Sequence, residues 1–249
     1  MREFYAQNYV IRLMNHSDIN EVKEVQRLRY LYLLRDYNPS LPIDGIDDDG
    51  YDQYSDSIIV IDKNDDKIVG TYRVASKNTI KDHKYIVEEE YNINALKNSN
   101  DSFIELSRAV INPEYRNGFV IELLFLAIYR YMIEENHKYM LGVCSFHGTN
   151  PSLYNHAFSL LKRDYSFDDY DIYAINDAFS LDFVKDEEID EVVAKEQMPG
   201  LLRMYLRFGN KVARGGFIDR AFNCCDVFVI LDVNNINTRY LNRFERLVK

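Results

Sequence analysis

Thirty residues, Phe103 to Met132, constrain the fold of this chain more than any other stretch: FIELSRAVINPEYRNGFVIELLFLAIYRYM. It opens with alternation. Phe103, Glu105, Ser107 and Ala109 point one way, while Ile104, Leu106, Arg108 and Val110 point the other. A period of two is that of a strand, and it puts Glu105 and Arg108 on opposite faces unless a bulge lies between them. Pro113 ends the strand because it cannot donate to a ladder. Ile121, Leu124, Phe125, Ile128 and Tyr131 then recur at helical spacing. The turn between them, Glu114 to Gly118, aims backbone N–H groups outward at a helix start, which makes it an anion site in waiting.

At 249 residues with 47% hydrophobic and 28% charged residues, the chain suits one large domain. No apolar run is long enough to span a membrane, and Met1-Arg2-Glu3-Phe4 does not open a signal peptide. Cys224 and Cys225 are neighbours and Cys144 stands alone, so a disulfide framework is not expected. The setting expected is cytoplasmic and reducing. The net charge of −10 argues against nucleic acid, which is bound through clustered Lys and Arg.

Along the chain, Tyr9 to Met14 reads as a strand, and Ser17 is placed to cap a helix carrying Arg27 and Arg29 near its end. Tyr37 to Ser55 is a loop broken by Pro39, Pro42, Gly45 and Gly50, with Asp44, Asp47, Asp48, Asp49 and Asp52 in it. Its spacing does not fit a calcium loop, because aligning Gly50 puts Gly45 at the first ligand position. Ser57 to Ile61 and Lys67 to Ala75 make a hairpin, with Arg73 inside its second strand. A charge there needs a partner. Tyr85 to Asn100 reads as a helical excursion.

Tyr139 to Ser145 is a further strand; Cys144 in it could pair with His147 as a nucleophile, but a Cys in an apolar strand is more often core. Leu153 to Arg163 is a helix, and Tyr170 to Val184 gives one or two short strands. From about residue 198 a helix–strand–helix extension is expected. Arg203, Arg207, Lys211 and Arg214 fall at spacings of four, four and three, on one face of a helix over Pro199 to Arg214. That face is either a snorkelling surface or a basic rail for an acidic carrier protein or anionic lipid head groups at the inner membrane face.

The motifs, taken in order, resemble a known family. Leu28-Arg29, Asp49-Gly50-Tyr51-Asp52, Val69-Gly70-Thr71-Tyr72-Arg73 and Glu105-Leu106-Ser107-Arg108 form a skeleton similar to that of acyl-homoserine lactone synthases. Asn112 to Gly118, Gly142 to Thr149, Tyr205 to Gly209 and Phe222 to Phe228 resemble the ornithine–acyl-carrier-protein N-acyltransferases of the GNAT superfamily. The likeness runs from about Val10 to Phe244. His147 and Cys224-Cys225 depart from that family's usual Pro and Thr-containing pair, which bears on which amino acid is accepted.

The resemblance implies an α/β GNAT-like fold in a single domain over 1–249, a mixed twisted sheet with helices on both faces. It implies transfer of a long, 3-hydroxylated or plain, acyl chain to an amino acid α-amine, most simply ornithine, giving a lyso-ornithine-type lipid. Glu105 and Arg108 are then the catalytic pair, Arg29, Asp49, Asp52 and Arg73 the substrate-binding set, and Arg116, Asn117 and Gly118 the donor-binding turn. Chemistry agrees independently: a free α-amine is mostly protonated near neutral pH, so a carboxylate such as Glu105 must take its proton. No metal or bound cofactor is expected. The turn keeps Arg116 but has Phe119 and Ile121 where pyrophosphate loops carry small residues, which favours the phosphopantetheine arm of acyl-carrier protein over coenzyme A as donor. The alternatives are a homoserine lactone or other N-acyl amino acid synthase, and a non-catalytic carrier- or membrane-binding protein.

Overall fold

The structure, a computed structural model, describes residues 1–247. Its contacts group into two compact units. The chain begins in the first with β1 (Phe4–Ala6), β2 (Tyr9–Leu13) and α1 (Ile19–Arg29), which runs on through a π-helical turn, Tyr30–Leu34, into α2 (Arg35–Tyr37). A long loop leads to β3 (Asp56–Asp62), β4 (Lys67–Ser76) and α3 (Lys77–Ile80). β5 (Tyr91–Asn92) and α4 (Asn94–Lys97) belong to the second unit, before β6 (Phe103–Ile111) and α5 (Phe119–Glu134) complete the first. The second unit then takes β7 (Tyr139–His147), α6 (Asn155–Tyr165), β8 (Tyr173–Ala174), β9 (Ala178–Phe179), α7 (Glu191–Gln197), α8 (Gly200–Phe208), β10 (Lys211–Asp219) and β11 (Cys224–Asp232). The last helix, α9 (Thr238–Leu247), returns to the first unit.

In the first unit the strand order is β1-β2-β3-β4-β6, antiparallel throughout. Alternation decides which helix covers which face. Val25 and Leu28 of α1 join Ile59, Ile61, Ile68 and Val110 in one apolar cluster. The opposite face belongs to α5: a Cβ on Gly70 would lie 2.8 Å from the Val120 side chain, so only glycine lets the helix come this close. Tyr72, two residues along the same face, meets Phe125 edge-on. Helices therefore lie on both faces, as expected.

In the second unit the order is β7-β11-β10-β8-β5. Every pair is antiparallel except β10 with β8, where Arg214 stands opposite Tyr173. β11 is buried at eight consecutive positions, the pattern of a strand covered on both sides. Phe146, Phe158 and Phe179 pack at ring separations of 4.6 and 5.0 Å to fill the layer beneath α6.

Three expectations need correction. α1 is capped by Asp18, not Ser17: its carboxylate accepts from the N–H groups of Asn20 and Glu21. Tyr85 to Asn100 is a short turn of 3-10 helix, a two-residue strand and one helical turn, with no continuous helix. The basic helix is shorter than its spacing suggested. α8 stops at Phe208 because Gly209 adopts φ +111°, a left-handed C-terminal cap, and the chain enters β10 two residues later. Lys211 and Arg214 thus lie on a strand, where Arg214 pairs with Asp171, and the four cations do not form one helix face. Among the described residues, no helix is long and apolar enough to cross a membrane.

Candidate active site

The site begins with an irregularity between β4 and β6. Ala75 faces Glu105 and Arg73 faces Ser107, but the next partners are Thr71 and Val110. Two residues of β6, Arg108 and Ala109, therefore oppose Tyr72 alone. That is a β-bulge, and Arg108 takes it up at φ +56°. The bulge resolves the alternation problem in the sequence: it brings Arg108 to the same aspartates that Arg73 holds, on the face that also carries Ser107 and Glu105. Arg73 Nε donates to Ser107 Oγ at 3.0 Å.

The aspartates come from the loop after α2, and glycine fixes how that loop lies. A Cβ on Gly45 would meet the Tyr30 ring at 2.2 Å, so the loop can cross the ring only at a glycine. The Tyr30 hydroxyl donates to Pro42 O, Arg27 to Gly45 O, and the Asp47 N–H to Gln26 O, which staples the segment along α1.

What results is a closed ring of alternating charge. Arg29 grips Asp52 through two bonds of 2.7 Å. Asp52 also meets Arg73 Nη1 at 3.4 Å, and Arg73 holds Asp49 through two bonds of 2.7 Å. Asp49 accepts from Arg108 Nη2 at 3.0 Å, and Arg108 Nε donates to Asp47 Oδ2 at 3.0 Å. Asp47 closes the ring: its Oδ2 is 2.9 Å from Arg29 Nε, and its backbone carbonyl accepts from Arg29 Nη2 at 2.7 Å. Three arginines and three aspartates alternate, so the formal charges cancel. Paired bidentate contacts of this kind hold both partners in one orientation.

Burial would raise the pKa of Asp49, but the hydrogen bonds and charge of Arg73, with the Arg108 charge added, outweigh it and hold the carboxyl at about 2. Asp52 is likewise pushed up by burial and brought down further by Arg29 and Gln26. Asp49 and Asp52 thus work as anions. Arg29 and Arg73 have side chains 0% and 1% exposed, whereas Arg108, Asp49 and Asp52 keep 15%, 20% and 10%. The first two arginines therefore order the aspartates from behind, and the last three can meet a ligand. Asp52 also lines an open cleft of about 630 Å³ with His16, Asp48, Asp56, Asn78, Thr79 and Lys81.

Of the residues singled out from sequence, Glu105, Arg108, Arg29, Asp49, Asp52 and Arg73 all gather here. Asp47, Gln26 and Ser107 join them and were not singled out. Only the run Asp47-Asp48-Asp49 hinted at the first, since alternate members of an extended run face alternate sides. Arg116, Asn117 and Gly118 stand at the entry to α5. Gly118 has φ +94°, Asn117 Oδ1 accepts from the Phe119 N–H at 3.0 Å, and the exposed Arg116 donates to Ile111 O. Cys144 and His147 do not form a nucleophile pair. Strand alternation sends them to opposite faces, and burial pushes the Cys144 thiol up to about 12.

Comparison with known proteins fits this geometry. A family model described as an acetyltransferase (GNAT) domain matches residues 28–126, the stretch that supplies the ring. The L-ornithine N(alpha)-acyltransferase of Brucella abortus is 33% identical over 80% of this chain and 74% of its own length. The chain belongs to the L-ornithine N(alpha)-acyltransferase family. The family's member from Rhodobacter capsulatus is 27% identical over 97% of this chain and 96% of its own. The GNAT fold is shared more widely: a CoA-dependent acyl-homoserine lactone synthase superposes with a TM-score of 0.55, at 12% identity, over 96% of this chain and 89% of its own. As an ornithine acyltransferase family member, the protein is an acyltransferase with a mixed α/β fold.

Proposed function

We propose that this acyltransferase moves a long fatty acyl chain, 3-hydroxylated or plain, from the phosphopantetheine thioester of acyl-carrier protein to the α-amine of ornithine. The observation that carries the reading is the charge ring, which holds Asp49, Asp52 and Arg108 as fixed, partly open groups on the face of β6 that bears Glu105. Ornithine brings two ammonium groups and one carboxylate. A cleft with Asp48, Asp52 and Asp56 on its wall suits the cationic side chain, and Lys81 on the same wall suits the carboxylate. The relatives' names supply ornithine as the acceptor.

Glu105 takes the proton of the α-ammonium, directly or through one water. The freed amine then attacks the thioester carbonyl, the N–C bond forms, and the C–S bond breaks. As the amide forms the nitrogen sheds its second proton, which passes directly or through water to the departing thiolate of the carrier arm, and Glu105 returns its own proton to solvent. The product is an N-acyl ornithine of the lyso-ornithine-lipid type. Arg108, with its guanidinium held by two aspartates, is placed to bind negative charge near the reacting centre. A carrier-bound donor is favoured over acyl-coenzyme A because Gly118 is followed by Phe119, Val120 and Ile121, leaving little bare backbone for a pyrophosphate.

The test is direct acyl transfer by purified protein, read by mass spectrometry. Acyl-carrier protein and ornithine should yield N-acyl ornithine, and Glu105→Gln should slow it by ~10²–10⁴-fold without loss of fold. Failure to acylate ornithine while S-adenosylmethionine or another amino acid is acylated would overturn the acceptor. Equal kcat/KM with acyl-coenzyme A would overturn the donor.

A further inference from the structure

We propose that Asp219, Cys224 and Asp226 form a binding site for a divalent transition-metal ion of the zinc type, in the hairpin of β10 and β11. The three side chains each offer a ligand atom, and these atoms all lie within 4.8 Å of one another. Their placement follows from the strands. Asp219 is the direct cross-strand partner of Cys224, and Asp226 lies two residues beyond Cys224 on the same face. The hairpin turn fixes the first carboxylate, since Asp219 Oδ1 accepts from the N–H groups of Ala221 and Phe222 at 2.8 and 2.9 Å. Cys224 Sγ is 3.5 Å from Asp226 Oδ2.

Asp226 is 2% exposed, and its Oδ1 atom has no hydrogen-bond partner. A buried carboxylate oxygen left in that state is costly, and natural proteins rarely keep one without a purpose. Among the described residues, neither Asp226 nor Asp219 has an arginine or lysine within ion-pair distance, in contrast to the aspartates of the charge ring. A cation held by all three groups would fill that gap. If Asp226 binds it through both carboxylate oxygens, the ion also satisfies the orphaned Oδ1 beside the Oδ2 that already approaches Cys224.

The donor set selects the class of ion. Two carboxylates alone would suit magnesium or calcium, but a thiolate at the centre favours a borderline ion that accepts both oxygen and sulfur. Zinc–ligand bonds of roughly 2.0–2.3 Å require these atoms to draw together by about an ångström. Three protein ligands leave a fourth position. It falls to water or to His147, which is the cross-strand partner of Cys224 on β7 and so starts with its Cβ only ~5 Å from it. Binding releases the thiol proton to solvent. Cys225 takes no part, because it faces the other side and donates to Gly148 O.

The experiment uses the whole purified protein stripped with a chelator, then titrated with Co(II) and with Zn(II) against a chromophoric competitor. One equivalent should bind, with a thiolate-to-cobalt charge-transfer band. Cys224→Ser should abolish that band, and Asp226→Asn should weaken zinc by a hundredfold or more, while Cys225→Ser leaves both unchanged. Should Cys224→Ser fail to fold by circular dichroism, Asp219→Asn, at the partly exposed end of the strand, decides by the same titration. Absence of stoichiometric binding, a band that survives Cys224→Ser, or equal loss in Cys225→Ser would overturn the site.

Discussion

Arg108 reaches Asp49 at 3.0 Å from a backbone held at φ +56°. For a residue with a Cβ the left-handed region costs roughly 1–2 kcal/mol, so the contact is made from a strained position. The strain buys the geometry: an unbulged strand would aim the guanidinium at the α5 side of the sheet. Arg108→Gly removes both the side chain and the strain, whereas Arg108→Ala removes the side chain alone. Arg108→Gly should therefore be the more stable of the two by about 1 kcal/mol in urea unfolding, and both should lose most activity. Equal stability for the two would mean that the left-handed conformation costs the protein nothing.

The ring makes its members interdependent. Arg29→Met leaves Asp52 and Asp47 buried with one partner fewer and should cost about 3–5 kcal/mol. Asp52→Asn alone leaves Arg29 short of its bidentate partner. The double variant should cost less than the sum, by ~1–3 kcal/mol, because each change removes the charge that the other stranded. A double-mutant cycle in urea measures this, and strict additivity would show that the two side chains do not act as one unit.

How much of this was legible in the sequence differs from element to element. The helix α5 and strand β6 follow from periodicity, and β3 and β4 from apolar runs either side of a polar turn, the pattern of strands covered on both faces. The bulge is not written there: Arg108 is neither Gly nor Asn, and only the misfit between Glu105 and Arg108 pointed to it. Arg29, Arg73, Asp49 and Asp52 were legible because charges in apolar settings need partners, but the closure of the ring by Asp47 depends on the loop path set by Gly45 against Tyr30. The single helix face of four cations failed because spacing alone cannot tell where a helix stops. Gly209 ends it, and a helical wheel drawn through a glycine cap joins residues that the chain separates.

Acid should reveal the ring. The carboxyl of Asp49 titrates at about 2 in the folded protein, below its ordinary value of 3.8. A depressed folded pKa gives stability that is present above the unfolded pKa and lost as pH falls towards the folded one. The contribution of Asp49 is therefore complete above about pH 5 and disappears between about pH 4 and pH 2, amounting to ~2 kcal/mol. Urea midpoints at pH 6, 4 and 2.5 should fall steadily for the native sequence. Asp49→Asn should be less stable at pH 6 and fall less steeply, and parallel curves would refute the assignment.

The corrected end of α8 divides the two arginines that seemed alike in sequence. Arg203 Nη1 donates to the carbonyls of Lys195 and Met198 at 2.7 and 2.8 Å, tying the end of α7 to the start of α8. Arg207 is exposed, in the last turn of α8, where a cation suits the helix dipole. Arg203→Ala should thus lower stability by about 1.5–3 kcal/mol, the usual worth of hydrogen bonds from a charged donor, and Arg207→Ala by no more than about 0.5 kcal/mol. For the proposed acyl-carrier-protein donor the order reverses. An acidic enzyme of net charge −10 meets an acidic carrier protein only through local positive surface, and an exposed cation acts mainly on association. Arg207→Glu should raise KM for acyl-carrier protein severalfold at low salt with kcat unchanged, and the difference should shrink as salt screens it. An unchanged KM at low salt would remove α8 from the docking surface and leave Arg207 as a solvated helix end.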